Sequence, residues 1–283
     1  MLVLRLTAHF RANPDLDPLP AFIAMSLFAN LFRSSIGRKF LMAVSGLILT
    51  GFAFGHLAGN LQIFSHPDKI NGYAHFLQSL GPVLWLVRLV LLGAVGLHIW
   101  AAVALTLESK AARGPSDYGV HKWLAATIAS RTMRISGLVV LAFVIYHILH
   151  FTVGLAGTEY YKGNIAEVIL GHDVREFGFP LASKGTAVHD VYSMIFIGFS
   201  SPLVAGFYIL ATGLLAVHLW HGTDSMFQTL GLRSSKWSCC LRKAVALLAL
   251  GYFIGNLAIP GAILSGLAKP AEGTYAAKVL STR

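Results

Sequence analysis

Cysteine is nearly absent from this chain. Among 283 residues there are two, Cys239 and Cys240, and adjacent residues are poorly placed to bridge one another. A disulfide framework is therefore excluded, as are the four thiolates of an iron–sulfur cluster and the C-x-x-C-H run that attaches haem covalently. The sequence also lacks G-x-G-x-x-G, so it offers no dinucleotide or flavin fingerprint. A signal peptide is missing too: the apolar stretch AFIAMSLFANLF (21–32) follows two acids and a proline, not a basic segment. It reads instead as an amphipathic helix lying on a membrane interface.

Charge is the scarcest commodity. Only 12% of residues carry one, against roughly 25% in soluble domains. Uncharged runs separate Lys39 from Asp68, Arg88 from Glu108, Arg134 from Glu159, Asp190 from Asp224, and Lys243 from Lys269. Each is near or above the ~20 residues that cross a bilayer. The expected fold is an all-α membrane protein with five transmembrane helices: about Ser35–Phe64, Val83–Leu107, Thr132–Ala156, Tyr192–Leu230 and Leu241–Ile259, the last stopped by Pro260. No linker divides the chain. An N-terminal extension (1–33) precedes one membrane domain (34–260) and a C-terminal tail (261–283).

The remaining charges are lopsided. Arg5, Arg11, Arg33, Arg38, Lys39, Lys110, Arg113, Lys122, Arg131, Arg134, Arg233, Lys236, Arg242 and Lys243 all fall on one side of the five spans, with few acids. The positive-inside rule puts that side, and the N-terminus, in the cytoplasm and the C-terminus outside. Topology accounts for the net charge of +10, and no nucleic acid is implied.

Against this apolar background stand six histidines: His56 in the first span, His98 in the second, His147 and His150 in the third, His218 and His221 in the fourth. Intramembrane ionisable residues are costly and mark functional sites, and neutral imidazole is a common ligand of haem and metals. His56 lies twelve residues before Asp68, and His147 twelve before Glu159, on helices running the same way. Both therefore sit roughly 18 Å below the first charge beyond them. His218, twenty-eight residues after Asp190, lies deeper, and His98 is central. If the histidines hold two cofactors, these heights pair His56 with His147 at an outer one and His98 with His218 at an inner one. Structural zinc sites recruit cysteine and tightly spaced ligands, whereas these are dispersed over four helices beside small residues (Gly55, Ala101, Ala102), which favours haem b. His150 and His221 share a face with His147 and His218 as alternative ligands, propionate partners or quinone contacts. Spacing alone does not choose between His147 and His150.

The segments GRKFLMAVSGLILTGFAFGHLAGNLQIF, LHIWAAV, SRTMRISG leading to FVIYHILHF, and HLWHGTDSMFQTLG together resemble the single-chain, five-helix, di-haem cytochrome b anchor of bacterial succinate dehydrogenases and fumarate reductases, over about residues 34–259. The resemblance implies two haem b groups in a bundle of four haem-binding helices plus a fifth. His56 and His147 would bind the outer haem, and His98 and His218 the inner. The family's helix-four ligand precedes a glycine by thirteen residues, which selects His218 over His221. It also implies a bacterial cytoplasmic membrane, flavoprotein and iron–sulfur partners on the cytoplasmic face, a quinone (menaquinone or ubiquinone) as substrate, and the option of a higher oligomer of the complex. No dicarboxylate or flavin site lies in the chain itself. Positions held by functional acids in some fumarate reductases are Ala216 and Gln78 here. Quinone or propionate candidates are Tyr73, His75 and Gln78 on the outer side and Ser130, Arg134 and Ser136 on the inner. The rival readings are a di-haem subunit of another membrane oxidoreductase, and a haem-free transporter relaying protons through its histidines.

Overall fold

The computed structural model describes residues 29–115, 127–161 and 164–282. Its frame is five helices long and apolar enough to cross a membrane. In chain order, α1 is Ser35–Asn60, α2 Pro67–Ser79, α3 Pro82–Arg113, α4 Ile128–His147, α5 Val191–Phe199, α6 Pro202–Thr229, α7 Ser238–Leu264 and α8 Tyr275–Ser281. α4 continues through a π-helical turn, Ile148–Val153. Large apolar side chains on these helices point outward: Leu92, Leu138 and Leu247 are each more than two-thirds exposed. That inversion of the soluble pattern suits a protein solvated by lipid, and the chain is a multi-pass membrane protein.

Local chemistry explains the helix starts. The Ser34 hydroxyl accepts from Gly37 N, and the Thr127 hydroxyl from Ser130 N, each satisfying one of the amides a helix leaves orphaned. Proline occupies the first position of α2, α3 and α6, where its missing N–H costs nothing. Asp190 caps α5 by accepting from Ser193 N, and also from Asn71 of α2. Ser193 in turn accepts from Ala276 N, and the Tyr192 hydroxyl from Ala271 N. This buried polar knot ties α2, α5 and the C-terminal segment together at one end of the bundle.

The same end carries four short strands: β1 Val168–Ile169 pairs antiparallel with β4 Ala187–Val188, and β2 Val174–Glu176 with β3 Phe179–Ala182. It is the hairpin end; the opposite one, rich in arginine and lysine, is the basic end. There Arg38 of α1 pairs with Glu108 of α3, and Asp224 gathers Arg233 and Arg242.

α1 packs on α3 and on α6, α6 packs on α4, and α7 covers α6. With lipid outside, helix association rests on close packing rather than on water exclusion. Gly255 of α7 shows this: a Cβ there would fall 2.9 Å from Leu57 of α1.

Several expectations need correction. The connections and the tail add α2, α8 and four short strands to the all-helical membrane frame. The expected fourth span breaks at Ser200–Ser201: Pro202 forces Ser201 into extended backbone (ψ 118°), and residues 192–199 form a separate, fully buried helix. α3 runs to Arg113, beyond Leu107. The fifth helix starts at Ser238 and passes through Pro260 to Leu264; a membrane helix tolerates the amide that proline removes. Residues 29–33 are helical, and the rest of the expected interfacial helix lies outside the described residues.

Candidate functional site

Two pairs of imidazoles face each other inside the bundle. The rings of His56 (α1) and His147 (α4) have centroids 5.6 Å apart at 83°. Those of His98 (α3) and His218 (α6) are 6.4 Å apart at 61°. Neither α1 and α4 nor α3 and α6 are among the closely packed helix pairs; each pair of rings reaches across the space between helices that share a neighbour.

The pairs lie at two levels. Ser45, which meets His98, precedes His56 by eleven residues on α1; Ser136, which meets His218, precedes His147 by eleven on α4. At 1.5 Å per residue both helices separate the levels by about 16 Å. The His56–His147 pair is nearer the hairpin end.

Hydrogen bonding decides which nitrogen of each ring is available. Ser45 donates its hydroxyl proton to Leu41 O (2.8 Å), so toward His98 Nδ1 (3.3 Å) it can only accept. The Met42 carbonyl, 3.2 Å from the same nitrogen, also only accepts. His98 therefore carries its proton on Nδ1. Ser136 lies 3.1 Å from Met133 O and 3.2 Å from His218 Nδ1; when its proton goes to Met133 it accepts from His218 Nδ1. Nε2 of His98, and in that arrangement of His218, keeps its lone pair.

The hairpin-end pair is wired differently. The Tyr208 hydroxyl lies 2.9 Å from His150 Nδ1 and 3.3 Å from His147 Nδ1. Tyr160 lies 2.6 Å from His150 Nε2. One consistent arrangement has Tyr208 donating to His150, His150 donating through Nε2 to Tyr160, and His147 Nδ1–H donating to Tyr208. His147 Nε2 is then free as well. Burial pushes the Tyr160 phenol up to about 12, helped by the negative charge of Glu159, so it stays a neutral partner across the physiological range. His56 stacks on Phe52 and makes no side-chain hydrogen bond among the described residues. It is exposed to open space beside Gly51 and Gly55, whose missing side chains would meet nothing within 4 Å.

These details separate the two histidines of α4. His150 is 1% exposed with both ring nitrogens committed, and the π turn that carries it swings it toward Tyr160. His147 keeps one nitrogen for the facing ring. On α6, His218 faces His98, while His221 is half-buried without a hydrogen bond among the described residues.

The other candidates are scattered. Tyr73 of α2 packs against α1: a Cβ on Gly59 would come 2.8 Å from Tyr73 Cε1. His75 is half-buried and Gln78 exposed on the same helix. At the basic end Ser136 is engaged with His218, Ser130 bonds back to Thr127 O, and Arg134 is exposed. Arg233 is held by Asp224, Gln228 and Ser238, whereas Lys236 is exposed. Ala101 is fully buried, so packing fills that position. Sequence reasoning missed Ser45 and Tyr208, which sit more than fifty residues from the rings they orient and whose only signal was a hydroxyl in an otherwise apolar span, and Tyr160, ten residues from His150 in the following loop.

Two imidazoles bonding one metal ion at about 2.0–2.1 Å each place their centroids about 6 Å apart, close to both observed separations. Among the described residues, neither pair has a third His, Cys, Asp or Glu converging on it. A bare zinc ion would want four ligands; two facing imidazoles suit an iron whose other positions a macrocycle fills.

Searches against protein-family models, curated proteins and solved structures find no match to this chain.

Proposed function

We propose that this protein is the membrane-anchoring, haem b-carrying electron-transfer subunit of a succinate:quinone oxidoreductase or fumarate reductase. It would sit in a bacterial cytoplasmic membrane with its basic end and N-terminus inside and its hairpin end and C-terminus outside. The observation that carries the reading is the two pairs of facing imidazoles at two levels, each without a further protein ligand among the described residues. His56 with His147 would hold the outer haem and His98 with His218 the inner. Haem b, when bound, supplies reversible one-electron chemistry.

The chain's own residues set the conditions for it. Ser45, Ser136 and Tyr208 fix ring orientation and keep the Nε2 lone pairs turned inward; such outer-shell bonds raise ligand basicity. The apolar spans exclude water and lower the local dielectric, which tunes a redox centre. Exposed Arg134 and Lys236 at the basic end supply cationic groups for propionates or for an iron–sulfur protein docked beside its flavoprotein. Tyr73 and His75 of α2, at the hairpin end, supply polar groups for a quinone on the outer side.

The test is purification of the intact complex through a tag on this chain. The expected result is co-purification of a flavoprotein and an iron–sulfur subunit, a b-type Soret spectrum, and succinate-driven quinone reduction. A chain purified without a Soret band, or with a nickel or molybdenum subunit in place of the flavoprotein, would overturn it.

A further inference from the structure

Outside the bundle, at the hairpin end, three potentially ligating side chains from two remote segments of the sequence converge. His66 is the N-cap of α2, Asp68 lies in its first turn, and His172 sits in the loop between β1 and β2. His172 Nδ1 is 2.9 Å and His66 Nδ1 3.6 Å from Asp68 Oδ2, and the three ligand atoms all lie within 4.8 Å of one another. The two imidazole rings meet edge to face, centroids 4.7 Å apart.

The backbone under this cluster is fixed. Asp68 Oδ2 accepts from Gly171 N and His172 N, both at 3.0 Å, which holds the loop against the helix start. Lys69 bonds Glu176 (2.6 Å) and the Arg175 carbonyl (2.9 Å), so its ammonium is neutralised and drawn along the hairpin. A Cβ on Gly72 would fall 2.6 Å from Val174 Cγ2, so helix and hairpin touch directly. Only the imidazoles have freedom: the His66 and His172 side chains are 61% and 70% exposed, Asp68 14%.

We propose that His66, Asp68 and His172 form a binding site for a divalent first-row transition ion of the zinc or copper class. Two imidazoles and one carboxylate are a borderline ligand set that selects such ions over magnesium and calcium, which take oxygen. Ligands at about 2.0–2.1 Å from a tetrahedral ion lie about 3.4 Å apart, so rotation of two exposed rings closes the cluster. Binding takes the His66 Nδ1 lone pair from Asp68 N, now a long 3.2 Å bond, and moves the His172 proton from Nδ1 to Nε2. The positive N-terminus of α2 opposes the cation; the Asp68 carboxylate offsets it, and water fills the remaining positions. The ion would clip α2, with Tyr73 lying on α1, to the β2–β3 hairpin. The proposal does not depend on haem.

The test uses the full chain, purified through a tag free of histidine and stripped with chelator, then titrated with Zn2+ against a chromophoric chelator. One ion per chain is expected, with binding at least tenfold weaker in His172→Ala, in His66→Ala and in Asp68→Asn, and unchanged in His75→Ala. With Cu2+, the electron paramagnetic resonance signal should show two coupled nitrogens, falling to one in His172→Ala. Both histidines being exposed, circular dichroism should be the same in the variants. Zn2+ binding equal in wild type and in the His66→Ala/His172→Ala double variant, or lost equally in His75→Ala, would overturn the site.

Discussion

The two ring pairs differ in how they are supported. At the basic end each imidazole leans on a serine that also bonds its own helix backbone, so support is local and dry. At the hairpin end His147 leans on Tyr208, Tyr208 on His150, and His150 on Tyr160, which stands in the loop before the strands. His56 makes no side-chain hydrogen bond among the described residues. One level is built from isolated two-residue contacts, the other from a chain of hydrogen bonds that leads out of the membrane span. Orientation is secured at both; only the hairpin-end level is coupled to the structure outside the bilayer.

The largest effect expected is loss of a cofactor. Replacing His98 or His218 by Ala should cut haem per chain from two to one and spare the hairpin-end centre; His56→Ala or His147→Ala should do the converse. Pyridine haemochrome assay reads this directly.

Tyr208→Phe should come next, because it breaks two hydrogen bonds at once. Leaving His150 and His147 each short of a buried partner costs about 1–3 kcal/mol apiece, and outer-shell loss weakens metal binding about 10–100-fold. Thermal melting and haem retention on dilution should both fall, at the hairpin-end centre alone. Ser136→Ala should weaken only the basic-end centre, with a smaller loss of stability, since it leaves only one imidazole, His218, short of a partner. If Tyr208→Phe disturbed both levels alike, the contrast between them would be broken.

The pH dependence follows from Tyr160. Its phenol is held above its ordinary value near 10, to about 12, so the folded state binds the proton more tightly than the unfolded one. This stabilisation is complete below pH 10 and declines as pH rises from 10 toward 12. Melting temperature in alkaline detergent solution should fall over that range, and the fall should be blunted in Tyr160→Phe.

The smallest effect is expected at the basic end. The Arg38–Glu108 pair is partly exposed, and Glu108→Gln should cost at most about 1 kcal/mol without changing haem content.

The spans were legible because charge is so rare that its absence marks the bilayer. The break before Pro202 was not, since Ser200 and Ser201 carry no charge and an uncharged run hides a kink. α2 announces itself through His66–Pro67–Asp68, a cap with proline and an acid behind it, yet thirteen mostly polar residues between two spans read as loop. Which imidazoles share a level is legible from their distance to the nearest charges, because a helix rises uniformly. Which of His147 and His150 faces inward is not: the π turn after His147 shifts the face that a regular helix would present. Nor could sequence spacing show Tyr208 serving both, sixty-one and fifty-eight residues away.

One measurement reaches furthest: haem per chain in paired double variants. His98→Ala with His218→Ala should retain one haem, as either single variant does, whereas His98→Ala with His147→Ala should retain none. A purified wild-type chain with no haem, or a His98/His147 double variant that still holds one, would contradict the two-level pairing of these histidines.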